Sequence, residues 1–119
     1  MKLRTLSNTP VMDGSGGLDA RNLYDTKDAV ITILKLPPGE SLRKHITPVD
    51  VAFFVLEGTG IVLVGDEKEE VGPYTLIESP KGIVHCWYNE GSTDLLIMVI
   101  KAPKPQSKTI FVSDDNTAS

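Results

Sequence analysis

The sequence predicts an all-β domain, built as a sandwich or a barrel. Turn residues recur at intervals of roughly ten positions, and runs of β-branched and other apolar residues lie between them. Apolar residues with helical spacing are not sustained over three turns anywhere in the chain, so no helix is predicted.

The predicted strands follow one another along the chain, and each is ended by turn residues. In order, they cover residues 29–36, 41–45, 51–56, 61–64, 74–77, 83–88 and 95–100. The acidic stretch 66–70 is predicted to be a solvated hairpin turn. Residues 109–112 would form a last strand, pairing either within the domain or with a neighbouring subunit.

Composition sets the class of protein. A chain of 119 residues is expected to form one domain, and a net charge of −4 argues against a nucleic-acid partner. No apolar run approaches the roughly 20 residues of a membrane span. The first residues lack a hydrophobic signal-peptide core, and the single cysteine excludes an internal disulfide, so a cytoplasmic protein is expected.

The domain is expected to have three parts. Residues 1–20 would be an N-terminal extension that contains a Gly-rich loop at 12–17. Residues 21–112 would form the barrel, and residues 113–119 a flexible polar tail.

The chain has only two histidines, His45 and His85, and each lies in a predicted strand framed by glycine and proline. Imidazole titrates near neutral pH and is the commonest metal ligand in proteins. We therefore expect two distant strands to bring the two imidazoles to one site.

The framing residues form two motifs. The first runs from Gly39 through His45 to Gly58, and the second from Gly72 through the turn Pro80-Lys81-Gly82 to His85 and then Asn89. Over residues 39–89 the sequence resembles the cupin superfamily, whose members carry two such motifs. The resemblance implies a single cupin β-barrel of the jelly-roll, or double-stranded β-helix, type.

Period-two alternation along these strands predicts the wall of a pocket. Its expected members are His45, Thr47, Val51, Phe53, Val55, His85 and Trp87. An apolar cavity with two imidazoles is typical of a small-molecule site, in which a few polar groups orient the ligand.

The resemblance also bears on metal binding, because cupins that hold a metal usually use three histidines and one glutamate. Here Thr47 and Val51 stand at two of those four positions, so only His45 and His85 carry over. Two imidazoles would hold Fe, Mn, Ni, Cu or Zn weakly. Asp50 would be a third ligand if a bulge shifted the register, and Cys86 is an alternative third ligand.

Three functions remain open at this point. The first is binding of a small polar or anionic molecule around the two histidines. The second is a metal-dependent cupin enzyme of the dioxygenase, isomerase or decarboxylase type, with an incomplete ligand set. The third is a metal-free acid–base isomerase, for which Tyr74 and Tyr88 are candidate partner acids.

The resemblance implies a homodimer as well, since small single-barrel cupins commonly pair. An open barrel must also cover its edge strands. The apolar residues at 30–33 or 110–112 would serve as the contact.

Overall fold

A computed structural model describes residues 1–13 and 18–113. Most of the predicted Gly-rich loop and all but the first residue of the predicted tail lie outside these ranges, and the domain boundaries at residues 20 and 112 stay predictions. The described residues form β-strands and no helix, which confirms the all-β fold class. No described helix therefore has the length and apolarity to span a bilayer.

The strands make two five-stranded antiparallel sheets. The first sheet has the order β1-β2-β9-β4-β7, with β1 Asp19–Asp25, β2 Val30–Leu36, β9 Leu95–Lys101, β4 Val51–Glu57 and β7 Leu76–Ser79. The second has the order β10-β3-β8-β5-β6, with β10 Ile110–Phe111, β3 Ser41–Ile46, β8 Val84–Tyr88, β5 Gly60–Val64 and β6 Glu67–Val71.

The core lies between the two sheets, because each sheet turns its alternate apolar side chains inward. Leu34, Val55 and Ile97 from the first sheet belong to one buried cluster with Val62 and Trp87 from the second. Along β9 the inward residues are the buried Leu95, Ile97 and Val99. The candidate site lies between the two sheets, beside this core.

The prediction of a hairpin turn over residues 66–70 is wrong. The turn is limited to Gly65 and Asp66, where Gly65 has a φ of 64° that suits a tight two-residue connection. The acidic residues that follow belong to β6, which pairs with β5 in register Val64↔Glu67. Acidic residues have low strand propensity, and here the hairpin pairing overrides it. Their exposed charges also protect an edge strand from pairing with other chains.

The observed strand pairing also bears on two expectations about the edges of the sheets. Residues 110–111 pair with β3 inside the domain, at Ile110↔Ile46 and Phe111↔His45. Residues 30–33 do not offer an open edge, because β2 is paired with β1 on one side and β9 on the other. The exposed apolar side chains Ile110 and Phe111 remain at the outer edge of the second sheet.

Candidate functional site

The two histidines meet because their strands are neighbours. Strands β3 and β8 run antiparallel, and His45 lies directly opposite His85 in their register. Residues at opposite positions of an antiparallel pair project from the same face of the sheet. The two Nε2 atoms are 3.0 Å apart, and the ring planes meet edge to face at 73°.

A bulge in β3 makes this pairing possible. Leu42 pairs with Trp87 and His45 with His85, so Arg43 and Lys44 together stand opposite the single residue Cys86. Without the extra residue, regular pairing would set Lys44 against His85. The bulge therefore directs an imidazole, rather than an ammonium group, towards the second imidazole.

The hydrogen bonds of the site fix how protons are distributed over the two rings. His45 Nδ1 lies 2.6 Å from the carbonyl oxygen of Arg43, which only accepts, so Nδ1 carries the proton. The neutral ring then offers a lone pair at Nε2, and His85 Nε2 donates to it. His85 Nδ1 in turn accepts from the Ser79 hydroxyl at 2.7 Å. This assignment follows from the partners and gives one continuous chain of neutral groups.

Burial keeps both imidazoles uncharged. Desolvation, with smaller contributions from neighbouring His45 and Lys101, lowers the pKa of His85 from 6.5 to about 3. Desolvation also lowers the pKa of His45, partly opposed by its hydrogen bond to the Arg43 carbonyl, and Lys101 lowers it further. At neutral pH the pair is therefore a polar, uncharged unit.

A cavity of about 460 Å³ opens beside this pair, between the two sheets. Of the residues predicted to form the pocket, five line it, namely His45, Thr47, Val51, Phe53 and His85. Thr47 is buried, with its hydroxyl 3.3 Å from His85 Nε2. Apolar side chains from β1, β2 and β9 complete the walls.

The other two predicted pocket residues, Val55 and Trp87, lie in the fully buried core. Alternation assigns Val55 and Trp87 to the inner faces of their strands, and they do lie there. Strands β4 and β8 extend beyond the cavity, however, so these two side chains pack in the interior. Phe53 marks the boundary, because its ring packs edge to face against both His85 and Trp87, with centroids 5.0 and 5.5 Å away. Phe53 thus separates the cavity from the core.

The candidate third metal ligands lie outside the cavity lining. Asp50 is exposed, and its Oδ1 accepts a hydrogen bond of 2.9 Å from the backbone N–H of Lys81. Cys86 is buried next to His85, opposite the bulge. Among the described residues there is no group of three or more His, Cys, Asp or Glu side chains that could hold a metal ion. These donors do not fit the family's set of three histidines and one glutamate. The two Nε2 atoms are hydrogen-bonded to each other.

The candidate acids of a metal-free reaction also lie elsewhere. Tyr74 is 77% exposed, and the ring of Tyr88 packs under the Lys68 ammonium at 5.3 Å. Neither tyrosine is among the residues that line the cavity.

Several cavity residues were not predicted from the sequence, and Lys101, Phe111 and Arg43 are the most informative of them. Lys101 continues the inward alternation of Leu95, Ile97 and Val99, a signal present in the sequence. The centroid of the Phe111 ring lies 5.9 Å from that of the His45 ring. The guanidinium of Arg43 stacks on the Phe111 ring, 4.5 Å from its centroid. No sequence signal places these two together, because their contact depends on β10 pairing with the bulged strand.

A second cavity of about 430 Å³ lies on the opposite face of β2, lined by residues 5–7 and by side chains of β1, β2 and β9. Its arginine, Arg21, is already bound to Asp19 at 2.8 Å and to the carbonyl oxygen of Leu6 at 2.9 Å. The polar groups there hold the N-terminal segment against the sheet.

Comparison with known families identifies the fold. A family model described as a cupin domain matches residues 32–101, which include both histidines. The chain belongs to the cupin family. The resemblance seen in the sequence is thereby confirmed, together with the double-stranded β-helix fold.

Two solved structures of this cupin fold cover nearly all of the chain. The polyketide cyclase RemF from Streptomyces resistomycificus superposes with a TM-score of 0.80 at 23% identity, covering 97% of this chain and 89% of the cyclase. A double-stranded β-helix protein from Klebsiella pneumoniae gives a TM-score of 0.79 at 16% identity, covering 96% and 99%. At these identities the likeness concerns the fold alone.

One curated relative is similar in sequence. A 5-nitrosalicylic acid 1,2-dioxygenase from a Bradyrhizobium species is 32% identical over 63 residues. The match covers 53% of this cupin and 30% of the dioxygenase, so the chain matches under a third of the length of that relative.

The first prediction concerns protonation. Because burial disfavours the imidazolium form, His85 should stay neutral down to about pH 3, and His45 should titrate below 6.5. The unfolded chain takes up protons near pH 6.5, so the free energy of unfolding should be highest above that pH and decrease as pH falls. The slope from His85 should approach about 1.4 kcal/mol per pH unit between its unfolded and folded pKa values, and His45 should contribute with the same sign. NMR titration of the two imidazole signals, assigned with His45→Gln, checks this. A His85 signal that titrates near 6.5 would contradict the proposed burial.

The second prediction concerns Thr47, which stands where metal-binding cupins usually have a histidine ligand. Thr47→His places a third imidazole beside His85 Nε2 and should raise Zn²⁺ affinity at least about tenfold over the wild type, measured by competition with a chromophoric chelator. Thr47→Gln adds a polar side chain without an imidazole and should leave the affinity unchanged. Equal affinities in all three proteins would show that residue 47 does not converge with the histidine pair.

Proposed function

We propose that this cupin binds a small molecule with a polar head and an apolar body in the cavity beside His45 and His85. The observation that carries the proposal is the joining of this cavity to a neutral imidazole pair in which His85 is buried and His45 half-buried. Its volume of about 460 Å³ suits a ligand of one or two rings, since ligand pockets range over about 300–1,000 Å³.

The imidazole pair would recognise the polar head of the ligand by exchanging hydrogen bonds. In the chain of neutral groups, His85 Nε2 is a donor and His45 Nε2 is an acceptor, and the two face each other at 3.0 Å. A ligand hydroxyl inserted between them would accept from one ring and donate to the other. Ser79 and the Arg43 carbonyl hold the two outer nitrogens, so the rings would keep their tautomers during this exchange.

The walls would select the body of the ligand. Val51, Phe53 and Val99 present apolar surface from one sheet, and Phe111 closes the opposite side above His45. The dioxygenase relative is named for 5-nitrosalicylic acid, a ring compound with adjacent polar groups, and a molecule of that shape would match this division of the cavity.

An enzyme that acts on such a molecule is the second candidate. The sequence match to a dioxygenase supports it. The substitutions Thr47 and Val51 count against a metal-dependent form, because they remove two of the four ligands that metal-binding cupins use. Binding is therefore the activity that the described residues support best.

The third prediction tests this proposal. A set of ring compounds with one polar group, acids and neutral molecules included, is screened by ¹H–¹⁵N NMR for shifts at the backbone amides of His45, Thr47 and Phe53. At least one compound should bind the wild type, and His85→Ala should weaken it about tenfold or more while the β-sheet spectrum persists. Ile83→Ala, an exposed position just before β8, is the matched control and should bind normally. Binding that survives His85→Ala, or a screen without any cavity shift, would refute the proposal.

We also propose that two copies pair and that the protein works in the cytoplasm. Exposed Ile110 and Phe111 on the open edge of β10 support pairing, since an apolar edge strand is otherwise open to uncontrolled association.

The fourth prediction is a dimer mass in light scattering at micromolar concentration, reduced to the monomer mass by Ile110→Lys. A monomer mass for the wild type would refute pairing.

A further inference from the structure

Lys101 is the last inward-facing residue of β9. It lies opposite Val51 on one neighbouring strand and Val30 on the other, so its side chain leaves the sheet between apolar neighbours. The residue is half-buried and lines the same cavity as the histidines.

Lys101 has no counter-charge within the described part of the chain. The ion pairs there involve Arg21 with Asp19, Lys35 with Asp94, and Lys104 with Asp25. Glu40 is the one carboxylate among the residues lining the cavity, and it forms no ion pair with Lys101. A partly desolvated cation without a partner costs free energy, and burial accordingly lowers the pKa of Lys101.

The ammonium group also has hydrogen-bonding capacity that the imidazoles lack. Each ring nitrogen of His45 and His85 already has a protein partner. Lys101 has three N–H donors, and no hydrogen bond or ion pair occupies them among residues 1–13 and 18–113. A ligand acceptor that enters the cavity therefore meets unoccupied N–H donors at Lys101, on the inner face of β9.

We propose that the cavity takes a monoanionic carboxylate, and that Lys101 is the specificity-determining residue that pairs with its anionic group. This inference rests on the proposed small-molecule function and names the ligand class of that same site. An entering carboxylate supplies the counter-charge that the fold lacks, in surroundings where water screens the pair weakly.

The charges around the cavity favour one negative charge on the ligand. Lys101 and Arg43 are cationic, Glu40 is anionic, and the two imidazoles are neutral, which leaves a net charge of about +1. A phosphate dianion needs more cations or a cluster of backbone N–H groups. The apolar walls around Lys101 fit the hydrocarbon part of a carboxylic acid instead.

The fifth prediction compares matched acids and amides, which differ in charge and hardly in shape. Dissociation constants are measured by NMR for benzoate with benzamide, salicylate with salicylamide, 2-naphthoate with 2-naphthamide, and hexanoate with hexanamide. In the wild type the acid of at least one pair should bind about tenfold or more tightly than its amide. Lys101→Met should remove this preference and leave amide affinity within about twofold. Lys101→Arg should retain it, because the charge stays.

Lys104→Met is the matched control, since Lys104 lies three residues further along and is paired at the surface with Asp25. It should behave as the wild type. If Lys101→Met does not fold, the uncharged variant Lys101→Gln takes its place, and its contrast with the wild type and Lys101→Arg still tests the charge.

The outcomes separate this inference from the proposed function. Acids and amides that bind the cavity equally well in the wild type would overturn the role of Lys101 and leave the small-molecule site intact. An acid preference that survives Lys101→Met would overturn it too and point to Arg43. If no acid shifts a cavity residue, the carboxylate inference fails, and the small-molecule site fails only if the neutral compounds of the screen fail as well.

Discussion

The register between β3 and β8 is the constraint on which the site depends. It sets His45 opposite His85, and the extra residue at Arg43 and Lys44 is what brings that pairing about. The same strand carries β10 on its other side, so Phe111 is positioned over His45 by the same backbone pairing. A one-residue slip would exchange the faces of the strand and move an ammonium group against His85. The site is thus a consequence of strand pairing rather than of loop geometry.

Much of the fold could be predicted from local sequence, because β-branched runs and Gly/Pro turns are short-range signals. The first sheet shows this in β2, β4 and β9, whose segments were recognisable from their apolar runs. Strand β6 was not recognisable, since its acidic residues are held only by hairpin pairing. For the site, the motif frames indicated both histidines, and alternation indicated Thr47, Val51 and Phe53. Alternation could not show where the cavity ends and the core begins, because Val55 and Trp87 share the same inner faces.

The departures from the family's metal-binding pattern occur at the same site as the hydrogen bond between the two histidines. A metal ion would take the lone pairs of both Nε2 atoms and would keep the rings from bonding to each other. Thr47 and Val51 stand at two of the four ligand positions, and His85 Nε2 donates to His45. The proton chain from Ser79 to the Arg43 carbonyl then satisfies every ring nitrogen without a charge. A neutral pair whose ring nitrogens are all hydrogen-bonded costs little free energy to bury, whereas two imidazolium groups would cost much more.

The neutrality of that pair gives Lys101 its importance. Because neither imidazole carries charge, the charged groups that line the cavity are the Lys101 ammonium on β9, the Glu40 carboxylate and the Arg43 guanidinium, which stacks on Phe111. Lys104, three residues further along the chain, pairs with Asp25, whereas no ion pair among the described residues involves Lys101. A fold that leaves one cation partly desolvated beside apolar walls is less stable for it, and an occupant with a carboxylate would recover that loss on binding. The arrangement of the cavity would therefore link the stability of this cupin to the charge of the proposed ligand.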